Sequence, residues 1–190
     1  YYNIIYEKST DSIQVTNISA SSADVSADIY SSAYSLGKTI PIPAGSSVEL
    51  LKQPKVLAAS EVIAMQASAN SSLHATFTIQ KNTNDTSYKG GGVDLTSAAT
   101  YTDLYVASAD SVIQSVLLAN DDGTADVKAR VVWTDGSNSI QGYYVYDMII
   151  PADGTVEVLD EPKFLANGYK IRVYANQADR LEAVYSAKTL

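Results

Sequence analysis

Four groups of side chains in this chain have the chemistry to be a site. His74 is the single histidine. A nucleophile–base pair needs that histidine beside an activated hydroxyl and held by an orienting acid. Leu73 and Ala75, its neighbours, take the apolar phase of an alternating segment, so His74 is expected to point outward. Glu49 and Glu157 are a pair of carboxylates of the kind that cleaves glycosidic bonds. They occupy equivalent places in two repeats, each beside a valine (Val48, Val156), which predicts strand residues facing solvent or a lysine across the sheet. Asp121-Asp122-Gly123-Thr124-Ala125-Asp126 has the look of an acidic calcium loop. It lacks the twelve-residue spacing and the closing bidentate glutamate of that loop, so a turn is expected. With no cysteine anywhere, disulfides, thiolate metal sites and thiol nucleophiles are excluded. No catalytic residue, metal ligand set or cofactor site is expected, and the chain is not expected to be an enzyme.

Tyrosine is the fourth group: 14 residues against 2 Phe and 1 Trp. Its ring buries a large area while the hydroxyl keeps a hydrogen bond, which suits half-exposed contact surfaces. The candidate interaction surface is Tyr1, Tyr2 and Tyr6, with Trp133, Tyr143, Tyr144 and Tyr146. These residues could equally serve as a sugar-stacking platform, or pack at sheet edges, where Tyr is favoured in any case.

The elements that carry these residues are strands. Val25, Ala27 and Ile29 alternate with mostly polar residues, as do Ile63, Met65 and Ala67, Leu73, Ala75 and Phe77, Val127, Ala129 and Val131, and Ile171, Val173 and Ala175. Period two means one buried face per strand. No segment of ten residues has helical periodicity; at most a short helical turn is expected at 54–58 and 162–166. Pro43-Ala44-Gly45, Asp135-Gly136, Asp153-Gly154 and Asn167-Gly168 supply turns between the strands.

The chain also repeats itself. Pro43-Ala44 through Ala75 overlie Pro151-Ala152 through Ala183, and 13 of the 37 positions from 43–79 against 151–187 are identical without a gap. Asn17 then falls on Asn120 and Asp24-Val25 on Asp126-Val127, which predicts about six extra residues in the second copy near Asp135-Gly136-Ser137-Asn138. The expected fold is all-β: two tandem antiparallel β-sandwiches, immunoglobulin-like or jelly-roll-like, from an internal duplication. The expected domains are 1–80 and 99–190. Residues 81–98, with Gly90-Gly91-Gly92, read as a linker or extended arm. Sandwiches this small are marginal alone and should lean on each other or on other subunits.

Net charge is −8, which disfavours nucleic acid and anionic membranes as partners. No apolar run reaches the ~20 residues of a spanning helix, and the first residues show no signal-peptide pattern.

The repeated block Ile40-Pro41-Ile42-Pro43-Ala44-Gly45-Ser46-Ser47-Val48-Glu49-Leu50, then Lys55-Val56-Leu57-Ala58 and Ile63 through Ser68, resembles small β-sandwich virion structural proteins of tailed bacteriophages; so does Val116-Leu117-Leu118-Ala119-Asn120. The resemblance covers most of both copies. The sequence departs from the family's Gly-Asp pair before the penultimate strand, having Ser60-Glu61 and Gly168-Tyr169 there. The resemblance implies a capsid-decoration, neck or tail protein located in the virion and assembled in the host cytoplasm. Its partners would be other virion proteins and further copies of itself, and it carries over no catalytic residue. The alternative is an extracellular carbohydrate-binding or adhesive module working through exposed Tyr and Trp133. In either case Lys128, Arg130, Arg172 and Tyr143–Tyr146 mark the second copy as specialised for a different contact.

Overall fold

The computed structural model describes residues 2–5, 9–30, 34–57, 61–80 and 87–190. Among these, every regular element is a strand. The first copy holds β1 (Tyr2–Ile5), β2 (Ser9–Asn17), β3 (Ala23–Tyr30), β4 (Tyr34–Ile42), β5 (Ser47–Glu49), β6 (Lys55–Val56), β7 (Val62–Ala67) and β8 (Leu73–Gln80). Then come β9 (Tyr88–Asp94), β10 (Tyr101–Val106), β11 (Ser111–Asn120), β12 (Val127–Thr134), β13 (Ile140–Ile150), β14 (Thr155–Glu157), β15 (Lys163–Leu165), β16 (Lys170–Ala175) and β17 (Leu181–Thr189).

Each copy is two antiparallel sheets face to face. In the first, one sheet runs β1-β7-β3-β4; in the other, β2 pairs β8 on one side and β5 and β6 on the other. The second copy repeats every pairing: β10-β16-β12-β13, and β11 between β17 and the short β14 and β15. In immunoglobulin-like sandwiches strands C and F pair in one sheet and B and E in the other. Here β3 and β7 take the C and F places, and β2 with β5 and β6 the B and E places. The first and last strands have exchanged sheets: β1 joins β7 and β8 joins β2.

Backbone detail is duplicated as well. Left-handed φ angles fall at Thr39 and Asp147, at Gly45 and Asp153, and at Ser71 and Asp179, each pair 108 apart. A bulge opens β2 between Thr10 and Ser12 and β11 between Ile113 and Ser115. Asn17 and Asn120 do the same work, their amides donating to the carbonyls of Ser21 and Ile42, and of Ala125 and Ile150.

Three expectations are corrected. Val25 faces Ala67 and Ala129 faces Ala175, so β3 and β12 differ by 104, not by the 102 of the Asp-Val match. The β12–β13 hairpin is therefore longer than β3–β4 by four residues, from 104 to 108, rather than about six. The segments 54–57 and 162–166 form strands β6 and β15 instead of helical turns, because each finds a free stretch of β2 or β11 to pair with. Finally, Gly90-Gly91-Gly92, read as linker, lie within β9, which pairs antiparallel with β17 from Tyr88↔Lys188 to Asp94↔Glu182. Residues 81–86 lie outside the described part.

Alternation fills the cores as expected. Ile13, Val15, Val25, Ala27, Ile29, Ile63 and Met65 meet between the first pair of sheets, and Ile113, Val116, Leu118, Val127, Ala129, Val131, Ile171, Val173 and Leu181 between the second. The first core does not end at the first copy: Leu117 and Val184, on the outer face of β11 and β17, belong to it. The first sandwich thus stands on the outer face of the second.

Candidate functional site

Two constellations concentrate the polar and aromatic chemistry. The first is the junction between the sandwiches. Lys55, on β6, is fully buried, and its Nζ reaches the Glu157 carboxylate on β14 at 2.6 Å and the Ser115 hydroxyl on β11. Burial pushes the lysine below its usual range, and the Glu157 charge works against that shift. Glu157 is itself held in place. It accepts the Val116 N–H at 2.8 Å and the Ser115 hydroxyl at 3.0 Å, which fix the carboxylate and leave lone pairs for the lysine. Around this pair the Val56 N–H donates to Ser186 Oγ (2.9 Å), the Ser35 N–H to Glu182 (2.6 Å), Lys38 to the Asp121 carbonyl, and the Tyr34 hydroxyl to the Gly92 carbonyl (2.5 Å).

The glycines of β9 are explained by the same junction. A Cβ on Gly90 would lie 1.9 Å from the Val56 carbonyl oxygen; one on Gly92 would lie 2.6 Å from the Ala183 oxygen and 2.8 Å from the Tyr34 ring. Only glycine lets the first sandwich come this close to a paired strand.

The second constellation covers the outer face of the β10-β16-β12-β13 sheet. Arg130 lies between two rings, 4.4 Å from the Tyr146 centroid and 4.7 Å from that of Tyr174. Tyr174 packs on Tyr101 at 5.4 Å, and Tyr146 on Tyr143 edge-on at 5.0 Å and 79°. Arg130 Nε bonds Asp147 at 2.5 Å and holds that carboxyl below the usual carboxylate range. Asp103 bridges Arg172 (2.6 Å) and Lys170 (3.1 Å).

The residues singled out from the sequence divide accordingly. Tyr143 and Tyr146 lie exposed on this face. Trp133 and Tyr144 turn inward, half-buried against the second core; Trp133 packs 5.9 Å from the Tyr169 ring. The cause is the phase of β12, where Trp133 continues the inward row of Val127, Ala129 and Val131. Tyr2 contributes strand backbone opposite Met65; Tyr1 and Tyr6 lie outside the described residues. His74 is exposed, as its strand phase predicts. Glu49 accepts from the Ser12 hydroxyl (2.7 Å) and the Ile13 N–H (2.6 Å). Glu157, expected at solvent or against a lysine across the sheet, is buried against a lysine of the other copy. In the Asp121–Asp126 loop, Asp122 accepts from the Thr124 N–H and hydroxyl and pairs with Arg180 at 2.8 Å, which makes it a closed turn. No group of three metal-ligating side chains occurs among the described residues.

Neither a protein-family model nor a curated protein matches this chain. Several solved structures are distantly similar. The crystal structure of the STIV MCP has a TM-score of 0.38 and 10% identity, over 100% of this chain and 92% of that one. The infectious bursal disease virus VP2 subviral particle gives 0.32 and 8% over 97% of this chain, and the Gx strain of that virus gives 0.31 and 9% over 99%. The chain spans 57% of the length of each of the two bursal disease virus chains. At such TM-scores the likeness carries no argument about function.

The junction residues Lys55, Glu157 and Ser115 were visible in the sequence only as repeat identities. Lys55 recurs as Lys163, Glu49 as Glu157 and Ser12 as Ser115, but nothing in the spacing says that a lysine of one copy seeks the glutamate of the other.

Proposed function

We propose that this chain is a non-enzymatic virion structural protein that works by docking on neighbouring subunits, in the manner of a tailed-phage capsid-decoration, neck or tail component. The observation that carries this reading is the use made of its best-built polar cluster. Lys55, Glu157 and Ser115 form a closed protein–protein joint with no vacancy for a substrate. The carboxylate that offered general acid chemistry is filled by a backbone N–H, a hydroxyl and an ammonium group. The sequence resemblance to phage virion proteins supports the same reading. So do the large exposed side chains outside the joint: Tyr143, Tyr146 and Ile149 on β13 and Phe164 on β15. The two sandwiches would each offer a separate surface to the particle, and linked modules gain by effective concentration.

The carbohydrate-binding alternative requires two or three coplanar exposed rings. Tyr143 and Tyr146 meet edge-on and Trp133 faces the core, so the described residues form no such platform.

The test is mass spectrometry and cryo-electron microscopy of purified particles of the virus that encodes the chain. Many symmetric copies are expected; absence from the particle overturns the assignment.

A further inference from the structure

The junction between the sandwiches uses half of each copy. The first copy supplies Lys55 and Val56, and the second supplies the Glu157–Ser115 socket. Because both copies carry both parts, one of each is left over.

The unused socket lies on the first sandwich. Its geometry repeats the used one: Glu49 accepts the Ile13 N–H at 2.6 Å and the Ser12 hydroxyl at 2.7 Å, where Glu157 accepts the Val116 N–H and the Ser115 hydroxyl. The strand registers match, Gln14↔Glu49 in one and Leu117↔Glu157 in the other. Glu49 is exposed, and no ion pair among the described residues involves it. The unused lysine lies on the second sandwich. Thr10 faces Lys55 and Ile113 faces Lys163, so Lys163 occupies the place of Lys55. It is half-exposed, and its ammonium pairs at 2.7 Å with the Glu161 carboxylate, itself 75% exposed. Beside it, Phe164 is 60% exposed where its equivalent Val56, inside the junction, is 7% exposed. Tyr143 and Tyr146 stand at the places of Ser35 and Lys38, both of which reach across the junction.

We propose, building on the docking role above, that this protein associates head to tail with itself: Lys163 and Phe164 of one copy dock on the Glu49–Ser12 socket of a second. The charges are complementary and the internal junction is the template. Such a contact is heterologous, so it propagates into a ring or a filament. It is weaker than its template, because Leu117 and Val184 at the centre of the used socket correspond to Gln14 and Thr76 in the unused one. A polar contact with an exposed ion pair is salt-sensitive.

Sedimentation velocity of the full chain over a concentration series tests this. Self-association at low salt is expected, weakening at high salt. Lys163→Glu and, separately, Glu49→Lys should each lower the association constant by about tenfold or more. An equimolar mixture of the two variants should recover association, because each variant retains the half its partner needs. Glu49→Gln keeps the acceptor for Ile13 while removing the charge, and should weaken association with unchanged circular dichroism. No association at any concentration, or association indifferent to all three substitutions, overturns the proposal. Either result leaves the virion assignment to the particle measurement. Self-association by a chain absent from particles would do the reverse.

Discussion

At the residue scale the Lys55–Glu157 pair is the most deeply buried ion pair among the described residues. Breaking one side of a buried pair leaves the other charge without a partner and costs about 3–5 kcal/mol. Lys55→Met should therefore lower the stability of the full chain by that order, and adding Glu157→Gln should recover most of it. Chemical denaturation of the three proteins checks this; equal losses in single and double variants would mean the pair is not coupled. Nearby, Glu182 behaves oppositely to most carboxylates. Burial, with Asp121 and Asp94 close by, raises its affinity for a proton, although the Ser35 N–H opposes the shift. The native state then binds that proton more tightly than the unfolded chain. The Glu182 contribution to stability therefore falls as pH rises from about 4.3 through the folded value. Glu182→Gln keeps an acceptor for Ser35, so it should stabilise at pH 7, by an amount that shrinks towards pH 4. Urea midpoints of both proteins at the two pH values read this directly, and a constant difference would refute it.

At the element scale, β9 decides how the two sandwiches meet. Gly90→Ala would drive a methyl into the Val56 carbonyl, which is backbone and cannot swing aside. Overpacking of this kind costs about 1–3 kcal/mol. The loss should be accompanied by faster amide exchange at Val56, whose N–H bonds Ser186 across the junction. Unchanged exchange at Val56 would show that the junction absorbs the methyl. This element also marks a limit of sequence reading. Alternation identified the strands because period two is written in side chains. A glycine triplet has no side chains to alternate, and its strand character comes from the neighbours that approach it. The β12 alignment failed for a related reason. A shift of two residues keeps every side chain on the same face, so burial cannot detect it, and only the pairing with β16 does. Trp133 shows the same dependence: its residue type suggested exposure, while its strand phase placed it inward.

At the scale of the whole molecule, duplication explains both the agreement and the gap between sequence and structure. Thirteen identities in 37 positions were sufficient to see two sandwiches. They could not show that Leu117 and Val184 of one copy complete the core of the other, because Gln14 and Thr76 at the matching places face outward instead. What distinguishes the copies is therefore the surface each one lends. The aromatic and arginine face of the second sandwich, built on Arg130, Tyr146 and Tyr174, has no counterpart in the first, where Ser26, Lys38 and Gln66 stand at those places.

The path of β9 also gives the molecule a direction in time. Its partner β17 follows all the other described strands, and Ser87 accepts the Thr189 N–H some hundred residues on. On a ribosome β1–β8 emerge before β9, and β9 has no strand to pair with until β17 follows; contacts this distant in sequence close slowly. Tyr34 and Val56 lie against the glycines from the side of the first sandwich. The first copy is thus placed to hold β9 against Tyr34 and Val56 until β17 arrives to pair with it.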